Sequence, residues 1–191
     1  ALLSYGRRKN IRRKLRMRQE LQIERLSTGC ERLRCPALLA ELYALYLNVY
    51  RQSDLHFDKL TAEFLTAVFQ DESLDGHLVL YSTAEGLIGF NLCFLYHGML
   101  IDKYVGFRYP EARDYNLYFV SWMENLDFAV SRRLTHYVAG WTDLEIKAYL
   151  GAKFTFTHHA VYVKNPGLRR ILSHMSGLFE HDKVWFEEHQ S

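Results

Sequence analysis

Six side chains in the second half of the chain have the types and spacing to move protons or to hold an anion: Asn116, Tyr118, Asp143, Glu145, Lys147 and Tyr149. Glu145 has the chemistry of a general base, taking a proton from an attacking group. It also completes Thr142-Asp143-Leu144-Glu145, a capping-box pattern that needs an acidic or amide side chain at the third helical position. Asp143 would then be a favourable first-turn charge. Lys147 follows Asp143 by four residues, so it reads as one half of a surface ion pair or as a contact to a bound anion. Tyr149 carries a hydroxyl that could protonate a leaving group, or it is a packed aromatic. Asn116 and Tyr118 open a predicted helix, where donors face an anion; the plainer reading makes Asn116 an N-cap and Tyr118 a core residue.

The histidines and cysteines point to no metal. His158 and His159 are strand neighbours and aim to opposite faces, so they cannot share an ion. His97 belongs to a turn with Gly98. Cys30 and Cys35 have no second Cys or His pair near them. With Cys93 the cysteines number three, which leaves one unpaired and fits a reducing compartment, so a cytoplasmic location is expected.

The hydrophobic pattern supplies elements to position these groups. A basic helix is predicted over 4–21 with Ser4 as its cap, then a strand over 22–28. Helices follow over 37–51 and 61–70, the second capped by Thr61 with Phe64, Leu65 and Val68 inward. The period then changes to that of strands: 77–83, 87–96 and 99–107, broken at Ala84-Glu85-Gly86 and His97-Gly98, read as an antiparallel meander. A loop over 108–114 leads to a helix over 116–134 with Trp122, Met123, Leu126 and Val130 on its buried face. A short strand over 135–139 and a helix over 142–151 follow, the latter with Leu144, Ile146 and Leu150 inward and Lys147 exposed. Residues 153–164 alternate as a strand, and Asn165-Pro166 opens a last helix.

Composition limits the class. Hydrophobic residues at 49% indicate a globular chain of 191 residues. The run from Leu87 to Leu100 is interrupted and shorter than the roughly 20 residues a membrane helix needs, so no span is predicted. Of the 24 basic residues, eight fall within residues 1–18 together with no acidic ones, which leaves 16 basic against 22 acidic in the remainder. A mildly acidic body therefore carries a basic arm over 1–21. That arm reads as a solvated helix packed on the body, a phosphate-binding surface for tRNA, or a contact for an anionic membrane surface. Residues 22–191 read as the main domain, either by itself or as the C-terminal part of a longer protein.

The element order and two stretches of text resemble a known family. Gly140 to Pro166, "GWTDLEIKAYLGAKFTFTHHAVYVKNP", and Ser4 to Leu26, "SYGRRKNIRRKLRMRQELQIERL", are similar to Fem-like members of the GNAT N-acyltransferase superfamily. The resemblance implies an α/β fold with a central mixed, mostly antiparallel sheet flanked by helices. It implies transfer of an acyl group from acetyl-CoA or another acyl-CoA to an amine, on a small molecule or a cell-wall precursor, by direct attack and without a metal. Asn116, Tyr118 and Lys147 would contact the donor, and Glu145 and Tyr149 would be catalytic. The other implied readings are an aminoacyl-tRNA-dependent Fem-like transferase and a non-catalytic GNAT-like binding domain. Two departures bear on the choice. The glycine-bearing pyrophosphate loop of ordinary GNAT enzymes is replaced by Arg113-Asp114-Tyr115-Asn116-Leu117-Tyr118, and their acid tyrosine position is Lys147.

Overall fold

The computed structural model describes residues 3–53, 59–140, 143–155, 162–175 and 177. The chain forms two units, 1–151 and 152–191. The first is built on five strands in the order β1-β2-β3-β4-β5: β1 (Gln22–Ser27), β2 (Gly76–Thr83), β3 (Gly86–Tyr96), β4 (Met99–Phe107) and β5 (His136–Val138). The first four are antiparallel; β5 runs parallel to β4 over three pairs, Met99 with His136, Leu100 with Tyr137 and Ile101 with Val138. His97 and Gly98 both have positive φ, the primed-turn geometry whose twist suits a two-residue hairpin.

One face of the sheet packs on α2 (Pro36–Gln52) and α3 (Ala62–Gln70). Leu42, Leu45, Leu65 and Phe69 meet Leu78, Leu80, Phe90 and Leu92 there. The contact is close because β4 carries Gly106: a Cβ at that position would lie 2.7 Å from the Tyr46 amide nitrogen and 2.8 Å from the Leu45 carbonyl carbon. Thr61 caps α3 by accepting the Phe64 amide at 3.1 Å. Phe64, expected inward, is instead 44% exposed, and Phe69 takes the core position.

The other face packs on α5 (Leu117–Ser131), preceded by the single turn α4 (Glu111–Asp114) where the sequence suggested only a loop. Leu117, Val120 and Ala129 bury against the sheet, and Glu124 and Asn125 are buried beside them. Val130, expected inward, is 76% exposed. The predicted N-terminal helix divides into α1 (Tyr5–Lys14) and a 3-10 turn over Leu15–Glu20. Ile11 buries one side of α1, and Ser4 accepts the Arg7 amide. Glu124 fixes the arm by pairing with Arg18 from the turn and with Arg25 from β1.

The last helix of this unit is α6 (Leu144–Tyr149), whose N-cap position is Asp143, held at a left-handed φ of 58°. Thr142, the expected first member of the capping box, lies outside the described residues. In the second unit, α7 (Pro166–His174) starts where Asn165 accepts the Leu168 amide at 3.1 Å. Most of the strand expected over 153–164, with His158 and His159, lies outside the described residues. Among the described residues no helix is long and apolar enough to cross a membrane.

Candidate active site

The site is created by a mismatch in strand length. β4 continues for six residues past Ile101, its last partner in β5. Asp102 is the first residue beyond that pair. A bulge at Lys103 separates the Cys93–Asp102 pair from the Leu92–Tyr104 pair. Inserting one residue reverses the alternation of side chains. Before it, Leu100 faces α5; after it, Val105 and Phe107 do. Without the bulge, Asp102 would share a face with Tyr104, which packs on the α2 side.

Asp102 is thereby aimed into a polar cluster under α5. Its Oδ1 accepts from Asn91 Nδ2 at 2.7 Å, and its Oδ2 accepts from the Tyr137 hydroxyl at 2.7 Å and from Asn125 Nδ2 at 3.3 Å. Asn91 Oδ1 in turn accepts from Asn125 Nδ2 at 2.7 Å and from the Cys93 thiol at 3.2 Å. Asn125 Nδ2 also lies 3.0 Å from the Tyr137 hydroxyl oxygen. It has two hydrogens for three acceptors, so these contacts compete. Its own Oδ1 is buried without a hydrogen-bond partner among the described residues.

Burial raises the Asp102 carboxyl above its ordinary range, against the opposing pull of Tyr137, Asn91 and Lys147. Burial also raises the Tyr137 hydroxyl and the Cys93 thiol, with the Asp102 charge adding to each. Nearby, His77 stacks on Phe128 with ring centroids 3.7 Å apart, and burial with the Arg25 and Arg132 charges lowers its pKa to about 4. His77 is therefore neutral near pH 7.

Lys147 is buried, 4% exposed, and not on the outer side of α6 as its sequence context suggested. Ile146 takes the exposed position instead, at 38%. Desolvation lowers the Lys147 ammonium below the usual lysine value, and the Asp143 and Asp102 charges oppose that shift. Gly140, at φ +70°, passes beside the ammonium: a Cβ there would lie 3.9 Å from Nζ.

The other predicted residues are placed as follows. Asn116 stands at the N-cap position of α5 with φ 50°, and its side chain makes no capping bond. Tyr118 is half-buried, and burial pushes its hydroxyl up, with Asp143 and Asp102 adding to the effect. Glu145 is exposed and, two residues before Lys147, projects from the other side of α6. The Tyr149 hydroxyl accepts from Asn10 Nδ2 at 2.7 Å, and Arg7 lies 5.6 Å from its ring centroid. Asp102, Asn91, Asn125 and Tyr137 were not expected as site residues. The one sequence signal for them is Asn91, a lone amide inside the apolar run of β3. Among the described residues, no group of three or more His, Cys, Asp or Glu side chains could hold a metal ion.

A carboxyl whose pKa rises on folding binds protons that the unfolded chain has released. Its contribution to stability is complete below the unfolded pKa and falls as pH rises through the folded pKa. From about pH 4 upward, the wild type should therefore lose stability relative to Asp102→Asn, measured by denaturant unfolding across a pH series. At the acid end of the series the variant should start lower, because its amide turns an NH₂ toward groups that donate. Parallel pH curves would show that Asp102 does not titrate in that window.

Comparison with known proteins agrees with this architecture. The chain is similar in structure to a Trypanosoma brucei acetyltransferase, with a TM-score of 0.53 and 12% identity over 75% of this chain and 99% of that one. It is also similar to an aminoglycoside acetyltransferase from an uncultured soil metagenomic sample, solved with trehalose, with a TM-score of 0.50 and 12% identity over 76% and 98% of the two chains. A possible acetyltransferase from Clostridium difficile 630 gives a TM-score of 0.50 and 14% identity over 75% and 99%. At such identities the likeness speaks for the fold. No curated protein matches the chain. The family model for the acetyltransferase (GNAT) domain matches residues 6–148, a stretch that holds α1 except Tyr5, the whole Asp102 cluster and Lys147. The chain therefore belongs to the GNAT acetyltransferase family.

Proposed function

We propose that the chain transfers an acyl group, acetyl in the first instance, from acyl-CoA to the amine of a small-molecule acceptor by direct attack. The observation that carries this reading is the stretch of β4 beyond Ile101, its last pair with β5. There, strand, helix and β5 residues converge on Asp102, with Lys147 buried nearby. The acceptor nitrogen attacks the thioester carbonyl, the C–N bond forms, and the C–S bond breaks. The ammonium proton passes to Asp102, whose raised pKa brings its basicity nearer to that of an amine. The leaving thiolate takes its proton from solvent. Tyr149, two residues after Lys147 and bonded to Asn10, faces α1 and not Lys147, so it enters no step of this reading. Lys147 supplies positive charge where negative charge develops on the carbonyl oxygen. Asn116 and Tyr118, at the start of α5, line the donor side. Glu145 enters no step of this reading.

A thermal-shift series tests it. A ligand present at 100 times its Kd stabilises the folded state by about 2.7 kcal/mol, a shift of several degrees for a chain of this size. Acetyl-CoA or a longer acyl-CoA should produce that shift. A salt-sensitive shift with aminoacyl-tRNA and none with any CoA species would replace this reading with the aminoacyl-transfer one. Binding of CoA without turnover of any amine would favour a non-catalytic module.

A further inference from the structure

The basic helix α1 carries charge that the body does not neutralise. Arg18, beyond its end, pairs with Glu124 and approaches Asp127 at 3.9 Å. The basic residues of α1 itself have no carboxylate within ion-pair distance among the described residues. Two of them, exposed Arg7 and half-buried Lys14, reach aromatic rings of the body. Arg7, Asn10, Ile11 and Lys14 share one side of the helix by their spacing of three and four. Ile11 is buried, and Asn10 bonds Tyr149. Arg7 lies over the ring of Tyr149, the last residue of α6, at 5.6 Å, and Lys14 lies over the ring of Phe119, in the first turn of α5, at 3.7 Å. The helix thus bridges the end of α6 and the start of α5. It parks one unpaired cation on an aromatic face at each.

The start of α5 has no acidic residue in its first turn, and the Asn116 side chain does not cap it. The turn α4 directly precedes it, and 108–118 contains no glycine, so side chains stand along the backbone where a phosphate would approach. A polyanionic ligand entering beside β4 would need its counter-charge from another element.

We propose that Arg7 and Lys14 form the anion-binding wall of the donor cleft and hold the diphosphate of acyl-CoA in place of a glycine-rich loop. This rests on the acyl-CoA reading above. Arginine offers a fork of donors and lysine a compact charge, and both bind phosphate oxygens by charge-assisted hydrogen bonds.

Isothermal titration with CoA, pantetheine and inorganic diphosphate decides it, with no turnover required. Arg7→Gln with Lys14→Gln should raise the CoA Kd about tenfold or more and flatten its salt dependence. Pantetheine, which lacks the phosphates, should bind unchanged. Diphosphate alone should bind the wild type and lose affinity in the variant. Arg12→Gln with Arg16→Gln alters two exposed positions, one on α1 and one in the 3-10 turn after it. It should shift the CoA Kd by less than about twofold and leave Tm unchanged. Lys14→Met keeps an apolar stem on Phe119 and carries the test if the double variant does not fold. Equal losses from the two pairs, or no loss from the Arg7 and Lys14 pair, would overturn the proposal while leaving the acyl-CoA reading intact. Failure of the wild type to bind CoA, with salt-dependent binding of tRNA, would end both and make α1 a nucleic-acid surface.

Discussion

Lys147→Met should lower kcat/KM about a hundredfold, equivalent to about 2.7 kcal/mol of transition-state stabilisation, with little loss of fold stability. The two effects separate because Lys147 is buried. Its ammonium is desolvated, and desolvation is the largest influence on its titration. A methionine fills a similar volume without that cost, and exchanging a buried charge for an apolar side chain is often neutral or better for stability. What methionine cannot supply is positive charge beside Asp102 and the developing oxyanion. Lys147→Ala would blur the result by adding a cavity. Stopped-flow release of free thiol from acetyl-CoA, read beside a denaturant melt, measures both quantities. Wild-type turnover in the methionine variant would remove Lys147 from the mechanism. Equal falls in turnover and stability would make it a structural residue.

The sheet was readable because its signals are local. The alternation over Met99–Phe107 and the His97-Gly98 break define β4 and its turn from adjacent residues alone. The Asn165-Pro166 start of α7 is local in the same way. The polar cluster was not readable, because each member depends on a distant partner. Glu124 and Asn125 fit a solvated face until Arg25, 99 residues earlier, and Asp102 are placed against them. Asp102 carries a further obstacle. A strict two-residue period puts it with Tyr104 on the α2 face, and only the bulge at Lys103 turns it toward α5. Lys147 shows the same dependence on tertiary context. An apolar pattern of Leu144, Ile146 and Leu150 does not fix which side of a six-residue helix is inward, and the buried side includes Lys147 because acidic groups lie near it.

Arg18→Met combined with Arg25→Met should destabilise the fold by about 3–5 kcal/mol, roughly 10 °C in Tm for a domain of this size. The source is Glu124. Its side chain is 1% exposed, whereas those of Arg18 and Arg25 are 44% and 46% exposed. Losing the arginines therefore removes half-solvated charges but strands a carboxylate in the core between α5 and β1. Either single variant should cost much less, because the remaining guanidinium still meets the carboxylate. Adding Glu124→Met to the double variant should recover most of the loss, since an apolar set in place of a buried ion cluster leaves no uncompensated charge. The recovery matters for function as well as for stability. Glu124 is what ties the turn after α1 to α5, so the double variant should also loosen the inner face of α1 and weaken CoA binding, while the triple variant regains stability without regaining that tie. A triple variant no more stable than the double one would place the loss in the packing of the arginine stems. The buried carboxylate would then not be what holds the basic helix in place.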